Sequence, residues 1–324
     1  MKSVGNVMNS IPLTFDEHQI RRTVIGGSNV VKADSLNISV ILLNTSGSHL
    51  KTHVFENLLQ CNFQTIVSIE HDAGNFSLDD MSRKFPTVKF IIPLEKATDG
   101  ELINLAMAEV SSDYVLVLRD SLNIPVSTIL PHLAENLTQN GTYCIVPRLF
   151  DAAKNELPCT FTPSYAHGHF TIESSTVISD GAKTLYPFDY IGLYNRQKFI
   201  QLGGFDWTIT SSYWQILDLS VRSWLFGEKT RLTSKLQFNY IEEPPVEDRT
   251  FTLSYLRYYL KNELPKIRFG QGCIRKSSFL SFFFRSSCGI MEAHRQFKAA
   301  SVWVEKNKYK FTIELQNLIE NWKE

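Results

Sequence analysis

Four short runs of apolar and β-branched residues, each separated from the next by a segment of helical character, constrain this chain's fold more than any other feature. They are Ile38 to Leu43 (ISVILL), Phe63 to Ile69 (FQTIVSI), Val88 to Ile92 and Tyr114 to Leu118 (YVLVL). Runs such as ISVILL and YVLVL lack the polar–apolar alternation of a half-solvated strand and suit a parallel sheet covered on both faces. Between the runs, His49 to Cys61 places Val54, Leu58 and Cys61 on one side of a helix, and Leu102, Leu105, Ala106 and Val110 form a second stripe. Thr98-Asp99-Gly100-Glu101 has capping-box spacing, in which the threonine hydroxyl and the glutamate carboxylate satisfy free amides at a helix start. Strand and helix alternating at this spacing predict an α/β fold, a mostly parallel sheet flanked by helices.

Bulk numbers narrow the function. Of 324 residues, 43% are hydrophobic and 20% charged, an ordinary globular balance with enough apolar surface for a sizeable core. Lys+Arg and Asp+Glu are both 33, and the absence of a basic excess argues against nucleic acid as a partner. The odd cysteine count (Cys61, Cys144, Cys159, Cys273, Cys288) without a C-x-x-C favours reduced thiols over a disulfide framework. No apolar signal core opens the chain, and no run approaches the ~20 apolar residues that span a bilayer, so the expected location is cytoplasmic.

In open α/β sheets ligands gather beyond the carboxyl ends of strands, which directs attention to the loops Glu70–Asn75 and Arg119–Ile124. LLNTSGSHL follows the first run where a dinucleotide fold would carry G-x-G-x-x-G, and no P-loop is present. Further along, Gly203-Gly204-Phe205-Asp206 suits a tight turn. Trp214, Leu217, Val221, Trp224 and Leu225 then mark a helix that also carries Asp218-Leu219-Ser220-Val221-Arg222. After the Pro244-Pro245 break the pattern is helical, with one stripe at Leu253, Leu256, Leu260 and Leu264 and another at Phe311, Leu315, Leu318, Ile319 and Trp322. Three sections are expected: a leader or strap over residues 1–36, a main domain over 37–243, and a helical C-terminal extension over 244–324.

From about residue 37 to 243 the chain resembles the family 2 glycosyltransferases of the GT-A fold. Its GGFD turn and DL-x-x-R helix match the family's pattern well, as does the strand SSDYVLVL. The resemblance implies an inverting transfer of a sugar from a nucleotide-diphosphate donor to a glycan, lipid-linked or protein hydroxyl. It places Asp72 where the family receives the nucleotide base, although Asp72 also reads as a solvated turn residue. Gly100 and Asn104 fall on the donor-side helix. The family's D-x-D, which holds a Mn or Mg ion against the donor's phosphates, is here Arg119-Asp120-Ser121. Three outcomes stay open: Asp120 as sole metal ligand after a one-residue shift, Arg119 in place of the cation through bidentate pairing with phosphate, or a donor site that no longer binds. The bland alternative has Arg119 and Asp120 capping the strand at the surface.

The family's catalytic base is the aspartate of an ED pair, replaced here by Gln215-Ile216. Asp206, Asp218 and Asp189 are the remaining candidates for accepting the acceptor hydroxyl's proton. Asp206 is favoured because a glycine turn can project it into a cleft. Asp218 and Arg222, at i and i+4, read as an ion pair along a helix. The alternative function is a catalytically inactive relative serving as a binding or scaffold subunit. His167-Gly168-His169 without a third ligand reads as a polar loop. FLSFFF at Phe279 to Phe284, with basic Arg275, Lys276 and Arg285 beside it, reads as a packed helix or as a peripheral contact with a membrane.

Overall fold

The computed structural model describes residues 18, 20–28, 35–44, 51–70, 78–125, 131–166, 169–286 and 288–322. The apolar runs become adjacent strands of one sheet. In chain order the first half comprises β1 (Arg22–Gly26), β2 (Ile38–Asn44), α1 (Lys51–Gln60), β3 (Ile66–Glu70), α2 (Leu78–Lys84), β4 (Val88–Pro93), α3 (Asp99–Ala108) and β5 (Tyr114–Arg119). Every residue of β2, β3 and β5 is buried, as continuous apolar strands covered on both faces require. Helix α3 starts with the anticipated capping box, Thr98 and Glu101 each bonding the other's backbone.

The second half adds β6 (Leu122–Asn123), α4 (Pro131–Thr138), β7 (Cys144–Phe150), β8 (Thr160–Ala166), β9 (His169–Ser175), a 3₁₀ turn (Phe188–Tyr190), β10 (Gly192–Asn195), α5 (Arg196–Leu202), α6 (Ser212–Leu225) and β11 (Thr230–Tyr240). The sheet order is β1-β4-β3-β2-β5-β10-β7-β11-β6. β4, β3, β2, β5, β7 and β11 share one direction, while β1, β10 and β6 run against their neighbours. β8 and β9 form a separate antiparallel pair.

β10 positions the site. It inserts antiparallel between β5 and β7, with Gly192 opposite Val117 and Leu193 opposite Ile145. Reading backwards from Gly192 along that register carries the preceding turn to the carboxyl end of β5, so Asp189 arrives beside Arg119. Helix α6 is buried on all sides from Tyr213 to Leu225. Its Arg222 donates to the carbonyls of Leu202 (2.6 Å) and Gly204 (2.9 Å), fastening the GGFD turn, whose glycines have φ of 88° and 63°.

Two features depart from the sequence reading. Residues 1–36 were expected to be a leader or strap, and within them an edge strand, β1, pairs with β4. The C-terminal part is also more than helices. It holds α7 (Leu253–Tyr258), a π turn (Tyr259–Glu263), a small hairpin of β12 (Lys266–Arg268) and β13 (Gln271–Cys273), then α8 (Ser278–Ser286), α9 (Ile290–Asn307) and α10 (Leu315–Glu320). This part packs onto the sheet domain through α6 and the turn after it: Trp322 meets Trp224 at 4.7 Å and Phe311 meets Phe226 at 4.9 Å between ring centroids. All five cysteines are free thiols. Among the described residues no helix is long and apolar enough to cross a membrane.

Candidate functional site

A cleft of about 550 Å³ opens at the carboxyl end of β5. Arg119 and Ser121 reach it from that strand, Asp99 from the first turn of α3, Asp189 from the 3₁₀ turn, Tyr213 and Ile216 from α6, and Glu243 to Asp248 from the strap after β11. Arg119 ends β5 and Ser121 lies in the turn after it; both line the cleft, whereas Asp120 is not among the lining residues.

Arg119 is the cation of this wall. Its Nη2 lies 2.7 Å from both Asp99 Oδ2 and Asp189 Oδ1, its guanidinium sits over the Tyr190 ring, and the buried Nε–H has no hydrogen-bond acceptor among the described residues. Burial works against its charge, but Asp189 and Asp99 outweigh that and make it hold its proton more tightly than a free arginine. Burial raises the affinity of Asp189 for a proton above the ordinary carboxylate range, and Arg119 and the Tyr240 hydroxyl, which donates at 2.9 Å, offset this only in part. Asp189 and Tyr190 both hold left-handed backbone, at φ 51° and 63°. On the far wall Glu247 accepts from the Tyr186 hydroxyl at 2.8 Å and from Arg249 at 2.7 Å.

The other sequence candidates fall elsewhere. Asp206 does not line the cleft. Thr208 donates to its Oδ1 twice, and Lys261 holds Oδ2 at 2.8 Å. Burial pushes that carboxyl toward protonation, yet Lys261 and the Thr208 donors win and hold it below the usual range. Asp218 is fully buried, with Arg222 at 2.7 Å, Asn262 at 2.7 Å and Lys261 at 3.5 Å. The helical ion pair is therefore present, but inside the protein rather than on a solvated face. Asn104 exchanges two bonds with the Phe205 backbone (2.8 and 2.9 Å), so it braces the GGFD turn. Gly100 donates to Gln215 Oε1 at 3.2 Å. Gln215 also accepts from Tyr190 and donates to Thr98 and the Asp206 carbonyl, while Ile216 faces the cleft. Asp72 lies outside the described residues, as do His167 and Gly168; His169 begins β9.

This wall offers no ready-made divalent-ion site among the described residues. Among the described residues no group of three His, Cys, Asp or Glu side chains is arranged to hold a metal, and a guanidinium occupies the cleft-facing first position of the triplet. That finding leaves Asp120 without a ligand set for the metal role. Asp99 and the strap carboxylates were not singled out from sequence. Asp99 had one legible signal, its place at a helix start just past a parallel strand, where ligands gather. The strap had none.

No family model and no curated protein sequence matches the chain. Solved structures do. GalNAc-T7 in complex with UDP, GalNAc and Mn2+ superposes with a TM-score of 0.56 at 12% identity, covering 90% of this chain and 59% of that one. The mannosyltransferase PcManGT from Pyrobaculum calidifontis, with GDP-Man and Mn2+, gives a TM-score of 0.43 at 10% identity, over 84% of this chain and 72% of its own. The chain thus has the GT-A glycosyltransferase fold, spanning about 59% of the length of GalNAc-T7.

Proposed function

We propose that the protein is an inverting glycosyltransferase that carries a sugar from a nucleotide-diphosphate donor to a hydroxyl acceptor without a metal ion. One observation carries this reading: Arg119 and Asp189 meet at 2.7 Å in a cleft beyond the carboxyl end of β5. A guanidinium forks onto phosphate oxygens, and Arg119 lines the cleft. The diphosphate takes over Nη2 contacts now made to Asp99 and Asp189, which frees the Asp189 carboxylate for the acceptor. The hydroxyl's proton moves to an Asp189 oxygen as the acceptor oxygen bonds the anomeric carbon. The bond from that carbon to the donor phosphate breaks, its electron pair leaves on the diphosphate, and Arg119 neutralises the new charge. A carboxylate with raised proton affinity is the better base, worth on the order of a hundredfold in rate.

The second reading, a binding or scaffold subunit, is favoured by Gln215. Every polar atom of that side chain is bonded within the protein, so the position of the family's acidic pair serves structure. Calorimetry with UDP and GDP, with Mn2+ or EDTA, separates the two. Enzyme function requires binding that survives EDTA, falls at least tenfold in Arg119→Met and persists in Asp189→Asn while transfer stops. If neither nucleotide binds, the scaffold reading stands alone.

A further inference from the structure

The helical hairpin of α8 and α9 carries a surface that stays open among the described residues. Its inner side is closed by Phe279 and Phe282 against Phe297, at 5.4 and 6.1 Å between centroids. The outer side keeps Leu280 and Phe284, one turn apart, 63% and 81% exposed, and the hairpin's tip adds Ile290 and Met291 at 63% and 86%. A groove of about 410 Å³ beside the tip joins Arg285, Ser286 and Cys288 to Phe251, Leu253 and Tyr255. Scattered exposed apolar residues mean little, but a contiguous set of this size marks a contact surface.

The charge around it names the occupant. The chain as a whole is neutral, with 33 basic and 33 acidic residues. Between Leu264 and Lys298, however, Glu292 is the sole acidic residue among seven basic ones, and it is paired with Arg295. Exposed Arg275 and Lys276 stand just before α8, and exposed Arg285 follows Phe284. Large apolar side chains flanked by arginine and lysine on a short helix match the boundary between anionic headgroups and acyl chains. We infer that this face docks the protein on an anionic lipid bilayer. The strap that lines the cleft with Glu243 and Glu247 continues to Phe251 and Leu253 in the groove, so docking brings the cleft's mouth near the bilayer. On the glycosyltransferase reading, the acceptor class is then a lipid-carried hydroxyl.

Flotation of the full chain with phosphatidylcholine vesicles, with and without phosphatidylglycerol, tests docking directly. The wild type is expected to float with the anionic vesicles and to be released in part as salt rises. Arg275→Glu with Lys276→Glu, and separately Leu280→Asp with Phe284→Asp, should each weaken flotation by at least about tenfold, since each basic residue near an anionic surface is worth roughly a fivefold factor. These side chains are exposed, and circular dichroism checks that both variants fold. Failure of the wild type to float, flotation of both variants like the wild type, or a dimer in sedimentation that dissociates in the Leu280→Asp, Phe284→Asp variant overturns the inference. Nucleotide calorimetry on the same preparation keeps the readings apart. Nucleotide binding without flotation sinks docking alone, and flotation without nucleotide binding sinks the transferase alone.

Discussion

At the scale of single residues, Asp189 and Tyr190 hold left-handed backbone in succession without being glycines. Such conformations cost on the order of 1–3 kcal/mol each and persist where the surroundings over-determine them. Here Arg119, Tyr240 and Gln215 bond the two side chains. Because Asp189 must be ionised to act as base and its proton affinity is raised, kcat/KM should climb with pH through a midpoint above the ordinary aspartate value. Asp206→Asn should keep that profile and Asp189→Asn should lose the activity; a pH–rate series on the three proteins checks this. Lys261 makes a different claim, on stability. Its Nζ serves Asp206 at 2.8 Å and Asp218 at 3.5 Å, under the Trp303 ring at 4.5 Å. Lys261→Met strands buried carboxylates and should lose about 3–5 kcal/mol in urea unfolding. The folded-state affinity of Asp206 for a proton is depressed, so its contribution is present above the unfolded value of 3.8 and lost as pH falls below it. The loss caused by Lys261→Met should accordingly shrink in acid.

At the scale of elements, what could be read in advance was what is local. The all-apolar strands announce themselves because both faces are buried, and the α3 start because Thr98 and Glu101 bond within one turn. β1 stayed hidden because its residues are mostly exposed, and its partner β4 lies more than sixty positions away. β10 is four residues long and owes its place to pairing with β5 and β7, so only the family resemblance, and no local pattern, put Asp189 near the site. Asn104 and Gly100 were legible as special but not in their role, since their partners in the GGFD turn and α6 lie about a hundred residues on. That role is testable. A Cβ at Gly100 would lie 2.8 Å from the Phe205 Cβ and against the Gln215 amide, both buried. Gly100→Ala should therefore destabilise by roughly 1–3 kcal/mol despite its better helix propensity, which a thermal melt would show. An unchanged or raised Tm would mean that α3 and α6 do not pack this closely.

At the scale of the whole molecule, the C-terminal part holds a half-buried acid whose charge its surroundings disfavour. Glu263, in the π turn after α7, has its carboxyl pushed up to about 8 by burial, a rise that Arg285 of α8 only moderates. Tyr165 of β8 faces it from the sheet domain, and Tyr255 and Tyr259 from its own segment. The sign is fixed by which state binds the proton better. Above the unfolded value of 4.5 the unfolded chain has released that proton while the folded chain keeps it up to about 8. Across this window the folded state holds more protons, so stability falls as pH rises, by at most about 1.4 kcal/mol per pH unit. Above the window the penalty stays constant, because both states are ionised. Glu263→Gln keeps the size and a neutral hydrogen-bonding head, so it should match the wild type near pH 4.5 and exceed it in Tm by pH 8. Denaturation followed at several pH values decides it. If the wild-type and Glu263→Gln curves run parallel from pH 5 to 8, the carboxyl is solvated and ionised in the folded protein.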